Sequence, residues 1–397
     1  MSISFRWARF AVTGLLGGMV MSLAHGLVVE RALTAGIKAR VSSFEISGQA
    51  VEMRSFSPDG RGGVFMLVGV KDEGAPASSV RLQSVRGAFT AASDLRGQAL
   101  RAPGAESAGL GMADESPLAG SLLAVDDQGW PYTAAVALNG GVQLTRFSAS
   151  GRPEQAFKVD LPDRSVSIRR LVWLGSGEFM LVGSAGSRPL LVTVDRAGKL
   201  RQRYTVVEDD AAAVAVTPMA SGGLAVLIEK GTQADPGFAL VVLGQGGAVL
   251  HRADLSGRPL DLALGSRGQL FVLVERQSVA TRDLVALTFS STLSPGTSRT
   301  LVSEKGLLAR FRMVAMLDGG ILVAGRKDRG LWLTRLSETL TEVWTSWTDP
   351  RQSPELEVTM DVELARSADS VFLGYSAMVV RERRQHAVVR AMQFAVD

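Results

Sequence analysis

One short unit recurs along this chain of 397 residues. At 318–336 it reads DGGILVAGRKDRGLWLTRL, at 175–194 GSGEFMLVGSAGSRPLLVTV, and at 221–243 SGGLAVLIEKGTQADPGFALVVL. A tight polar turn leads into an apolar run. A polar loop follows, then a second apolar run. The residue that heads the first run is Gly63, Gly129, Gly177, Gly223, Gly268, Gly320 and finally Asp369. Apart from the first interval of 66 residues, these positions lie 45 to 52 apart. Glycine at such points permits the positive φ that a tight hairpin requires.

A fixed period of this size with several short strands per unit is the signature of a ring of radial sheets. The third unit divides into four strands at 167–174, 178–184, 190–195 and from 200 onward. The second strand of most units (VFMLVGV, LAVLI, LFVLV, ILVAG, VFLGY) is apolar on both faces and so should be buried on both. The fourth (LRQRYTVV) alternates and carries charge, as an outer edge facing water would. The expected fold is therefore all-β, a single β-propeller of seven four-stranded blades beginning near 49, 118, 166, 211, 259, 309 and 356. The last unit ends without a fourth strand. Residues 40–47, RVSSFEIS, alternate like a strand and are expected to supply it, closing the ring. Residues 97–117, rich in Gly, Ala, Ser and Pro, account for the long first interval as an excursion between blades.

The unit DGGILVAG followed by LWLTRL resembles the degenerate β-propeller repeats of secreted bacterial proteins, across residues 40–397. The resemblance implies the fold and an extracytoplasmic setting. It implies no reaction, because propellers host many.

The first 24 residues read as an export signal. Arg6 and Arg9 precede an uncharged apolar stretch, and Ser22 and Ala24 offer a small-residue cleavage site. The expected organisation is a signal peptide at 1–24, a lead-in at 25–39 and the propeller at 40–397, in the periplasm or outside the cell, with no transmembrane segment after cleavage. The chain has no Cys, so it forms no disulfides. It carries 43 Lys and Arg against 39 Asp and Glu. Without Arg6 and Arg9 the balance is 41 to 39, too even for a general nucleic-acid binder.

Chemical motifs are sparse. Two of the three His residues, His251 and His386, fall in the propeller and lie far apart, so no zinc site is expected. Asp59-Gly60 and Asp126-Asp127-Gln128-Gly129 lack calcium-loop spacing, and Asp in such turns usually bonds its own backbone. Gly374-Tyr375-Ser376-Ala377 lies in an apolar run and reads as packing. Glu208, Asp209 and Asp210 read as a solvated cluster. Trp344 and Trp347, an odd number of residues apart in a strand, should face opposite ways. No cofactor is expected.

Basic residues gather between the second and third strands of the last three units: Arg276 and Arg282; Arg326, Lys327 and Arg329; Arg381, Arg383 and Arg384. Glu275, Asp283, Asp328 and Glu382 offset half of that charge. These loops should share one end of the disc and form a sector suited to carboxylate or phosphate groups. The first expectation is thus a non-catalytic exported scaffold that binds a protein or acidic polymer there. The alternative is a propeller hydrolase or lyase acting on a sugar or lactone in the central channel, with polar inner-strand residues Arg169, Arg170, Arg312, Asp361 and Glu363 around it.

Overall fold

The computed structural model describes residues 41–48, 50–71, 79–85, 122–137, 140–148, 153–163, 165–206, 209–231, 236–305, 309–348, 356–367, 370–381 and 384–395. The proposed signal, the lead-in and the 97–117 excursion lie outside them. Among the described residues there is no helix, and seven antiparallel sheets form in chain order.

Strand β1 is Val41–Gly48. The first sheet holds β2 (Ala50–Pro58), β3 (Val64–Lys71) and β4 (Ser79–Val85). The second holds β5 (Leu122–Val125), β6 (Pro131–Val136), β7 (Val142–Phe147) and β8 (Pro153–Val159). The third is β9 (Val166–Trp173), β10 (Glu178–Ala185), β11 (Arg188–Asp195) and β12 (Leu200–Arg203). The fourth is β13 (Ala211–Pro218), β14 (Leu224–Lys230), β15 (Gly237–Leu243) and β16 (Val249–Asp254). The fifth is β17 (Arg258–Leu264), β18 (Leu270–Gln277), β19 (Arg282–Phe289) and β20 (Pro295–Glu304). The sixth is β21 (Ala309–Ala315), β22 (Ile321–Lys327), β23 (Gly330–Leu336) and β24 (Glu342–Trp347). The last holds β25 (Leu356–Ser367), β26 (Ser370–Arg381) and β27 (Arg384–Ala395), with β1 paired antiparallel along β27 from Val41↔Phe394 to Gly48↔Ala387.

The expectation of seven four-stranded blades needs correction: six sheets have four strands and the sheet β2–β3–β4 has three among the described residues. The segment after β4 that would follow it lies outside them.

Cohesion comes from faces between sheets. Along β14, Leu224, Val226 and Ile228 enter the core shared with the third sheet, while Ala225 and Leu227 enter the core shared with the fifth. A continuous apolar run is what a strand buried on both faces requires. Each of seven apolar clusters bridges two consecutive sheets, and one joins Met53, Val64 and Met66 of the first sheet to Phe372, Val389 and Ala391 of the last. A propeller results, with β2, β5, β9, β13, β17, β21 and β25 innermost.

The recurrent turn is held by its own sequence. Asp318 Oδ1 accepts from the Gly320 N–H at 3.2 Å, and Gly319 takes φ 95° between them. Arg335, from the LWLTRL half of the unit, pairs with Asp318 and donates to Ile321 O at 3.0 Å. Asp59 and Asp126 bond the same way to backbone N–H groups two and four residues on. Trp344 packs toward the last sheet and Trp347 toward the fifth, so the two indoles do face opposite ways.

Six of the seven innermost strands, all but β5, share a second device. Register slips by a bulge between Met53 and Ser55, at Arg169 in β9, between Ala213 and Ala215, between Pro259 and Asp261, between Ala309 and Arg312, and between Val358 and Val362. A bulge leaves a residue out of the ladder and re-aims its neighbours. In the third sheet, the strand facing the bulge carries Gly183. A Cβ there would stand 1.9 Å from Ser167 O, so only glycine fits.

Candidate functional site

The bulged stretches of four sheets meet in the channel. Arg170 of β9 donates through Nη2 to Asp261 Oδ1 of β17 at 3.1 Å. This bond passes the inner strand of the fourth sheet, whose sequence there is AAAVA, residues 211–215. Small side chains leave the guanidinium room to reach past. Asp261 is buried, and its Oδ2 accepts the Met313 N–H of β21 at 2.9 Å. Arg312, beside Met313, holds Glu363 of β25 in a two-pronged bond, Nε to Oε2 and Nη2 to Oε1, both at 2.8 Å.

These groups feel one another. Desolvation deep in the channel lowers the pKa of Arg170 below the usual arginine value, and the Arg312 charge lowers it further. The carboxylates of Asp261 and Glu363 oppose both effects. Burial of charge is tolerable here only because each carboxylate meets a guanidinium.

A second group lies toward the channel end at which the innermost strands begin. Glu229, next to last in β14, accepts from Arg169 Nη1 at 2.7 Å through Oε2. Its Oε1 stands 3.7 Å from Arg258 Nε, the first residue of β17. Three consecutive sheets thus supply one carboxylate between two guanidinium groups.

Of the inner-strand residues read from sequence, Arg169, Arg170, Arg312 and Glu363 take part. The side chain of Asp361 is outside the described set. Sequence reading missed Asp261, Glu229 and Arg258. Two signals for them existed: a lone acid within the apolar PLDLAL, and another at the end of LAVLIEK.

The basic residues between second and third strands are placed as follows. Arg276, Arg282, Arg326 and Lys327 are strand residues near the hairpin ends, and Arg329 sits in a turn. Arg276 Nε donates to Ser256 O at 2.9 Å. Arg282 pairs with buried Glu275 at 3.0 Å. The Lys327 ammonium lies 5.2 Å from the centre of the Trp347 ring, and Arg329 approaches Glu357 at 3.6 Å. Arg326 has an interaction partner as well. Arg381 ends β26 opposite Arg384 at the start of β27, and Arg383 lies outside the described residues. His386 is within β27, and His251 lies in the outer strand β16.

Gly374, Tyr375, Ser376 and Ala377 form part of buried β26, where Ser376 Oγ accepts the Met53 N–H at 2.9 Å. Asp209 pairs with Arg188 at 3.1 Å, both exposed, and Glu208 is outside the described residues. Among the described residues, no three His, Cys, Asp or Glu side chains gather as a metal site.

No family model matches the chain, and no curated protein does. Among solved structures it is similar to a gluconolactonase from Xanthomonas campestris, at 12% identity and TM-score 0.40, covering 91% of this chain and 92% of that one. It is similar to the calcium-binding protein regucalcin from Agrobacterium tumefaciens, at 14% identity and TM-score 0.40, with 68% and 88% covered. It is also similar to prolyl oligopeptidase B from Galerina marginata, at 9% identity and TM-score 0.48, with 95% of this chain and 55% of that one covered.

The expectation of a non-catalytic scaffold is corrected at this point. The solved structures named are those of two enzymes and a calcium-binding protein. Arg276, Arg282 and Arg329 are engaged within the fold, whereas the charges that four sheets converge on one place are in the channel. As for calcium, roughly six to eight oxygens surround that ion. Asp261 and Glu363, each bonded on both oxygens, do not fit it.

Proposed function

We propose that the protein is a hydrolase that opens a sugar lactone in its central channel. The observation that carries this reading is the convergence of Arg169, Arg170, Glu229, Arg258, Asp261, Arg312 and Glu363 from five sheets around one axis. Lactone hydrolysis needs a base for the attacking water and donors for the oxyanion that forms on the carbonyl.

Glu229 supplies the base. Its Oε1 is held only loosely, at 3.7 Å from Arg258, and so keeps capacity to bond a water. The water oxygen adds to the carbonyl carbon while its proton passes to Glu229. The ring C–O bond then breaks, and the departing oxygen takes that proton to become a hydroxyl. Arg169 and Arg258, flanking Glu229, face the negative charge that builds on the carbonyl oxygen.

A pH-stat assay of the purified chain against a panel of sugar lactones tests the reading. Acid release from a lactone well above the buffer rate is expected. Glu229→Gln should cut it by roughly 10²–10⁴-fold, the range for losing a positioned base. If no lactone is turned over faster than in buffer, the reading is wrong.

A further inference from the structure

The channel's hydrogen-bonding capacity is lopsided. Both oxygens of Asp261 are taken, one by Arg170 and one by the Met313 N–H. Both oxygens of Glu363 are taken by Arg312. Arg170, by contrast, donates once, through Nη2. Its Nε and Nη1 meet no protein acceptor among the described residues, yet they are not among the sealed, unpartnered atoms of the interior. The side chain keeps 26% of its surface exposed. Those N–H groups therefore open onto the lumen.

A guanidinium held on one side by a carboxylate, with its remaining donors toward solvent, is a pre-oriented receptor. Asp261 fixes the plane of the group, and Met313 in turn fixes Asp261. Two guanidinium groups also lie close enough here to repel one another, a cost that an incoming anion would relieve. The fork of Arg170 matches the flat, two-oxygen geometry of a carboxylate better than a neutral hydroxyl.

We infer that Arg170 anchors a carboxylate of the channel's ligand, so that the substrate is a sugar derivative carrying a free carboxylate. This rests on the channel being the site of reaction, and it names the substrate class for that site. The carboxylate binds at mid-channel, and the lactone carbonyl is left toward Glu229.

Isothermal titration of the full chain tests this with galacturonate and gluconate as acidic probes and glucose as the neutral control, each at low and high salt. Both acids should bind, more weakly at high salt, and glucose should not. Arg170→Lys keeps a cation opposite Asp261 but loses the fork. It should weaken the acids by roughly tenfold or more, the worth of one charge-assisted hydrogen bond, with the melting temperature held. Arg170→Gln should abolish binding, and its melt reports whether the fold survives. Equal binding of acids and glucose, no binding of either acid, or wild-type affinity in Arg170→Lys would each overturn the anchor. Lactone turnover without acid binding would remove the anchor and leave the hydrolase. Acid binding that Arg170→Lys weakens, without turnover of any lactone, would do the reverse.

Discussion

Arg312–Glu363 and Arg329–Glu357 join the same two sheets, the sixth and the last, with the same two residue types. The inner pair is two-pronged at 2.8 Å, and its side chains are 19% and 18% exposed. The rim pair is a single approach at 3.6 Å between side chains 67% and 44% exposed. Water competes for the second and scarcely for the first. Charge count alone therefore misleads about where this molecule invests its electrostatics. The basic rim has more cations per stretch of sequence, but the channel has the geometry that fixes them.

The sharpest way to break that comparison is to remove an inner carboxylate. Asp261→Ala takes the carboxylate from the half-buried Arg170 and leaves the Met313 N–H without its acceptor in a buried place. A loss of about 3 kcal/mol or more in unfolding free energy is expected from denaturant melts. A loss within the noise of a surface substitution would mean that the channel charges are as solvated as the rim. Glu363→Gln keeps shape but removes the charge from a two-pronged pair. It should cost about 1–3 kcal/mol, the worth of charged hydrogen bonds, whereas Glu357→Gln at the rim should stay within about 0.5 kcal/mol.

Smaller effects sharpen the contrast. Arg329 occupies a tight hairpin turn at φ 68°, next to Asp328 at φ 47°. Arg329→Gly should stabilise by about 0.5–1 kcal/mol by relieving the left-handed backbone, and lost stability there would show that the ion pair outweighs the strain. Near the same turn, burial raises the pKa of Glu304, with Asp328 adding to it and Lys327 opposing. A carboxyl whose folded pKa is raised favours the folded state below its unfolded pKa and loses that contribution as pH rises through the folded value. Glu304→Gln should therefore melt higher than the parent at neutral pH, and the gap should close on acidification. A gap that does not change with pH would place Glu304 in solvent.

Much of the fold was legible because the repeat is physical. Unit starts read at 166, 211, 309 and 356 coincide with Val166, Ala211, Ala309 and Leu356, and the others fall within a few residues. Continuous apolar runs give buried strands however the ring closes. The channel cluster was legible only in part. Arg169, Arg170, Arg312 and Glu363 stand out as charges in inner strands, but sequence spacing does not say that the third sheet faces the fifth across the fourth. Asp261 was hidden because a single acid in an apolar strand has no periodic partner. The residues that follow the third strand of the first sheet were not legible, because Gly, Ala and Ser there leave no alternation to read.

The glycine in the second strand, Gly183 of LVGS, had a meaning beyond turn-making. It marks where the neighbouring inner strand buckles toward it.

That buckling has an evolutionary consequence. Arg170, Asp261, Arg312 and Glu363 each sit beside such a slip, so in four of the seven sheets the distortion offers an interchangeable socket toward the axis. The residues left over at two other slips, Val214 and Leu260, are spent instead on packing against the apolar cores that flank the fifth sheet. Selectivity in the lumen can then be retuned one socket at a time, with the wall around it left as it is.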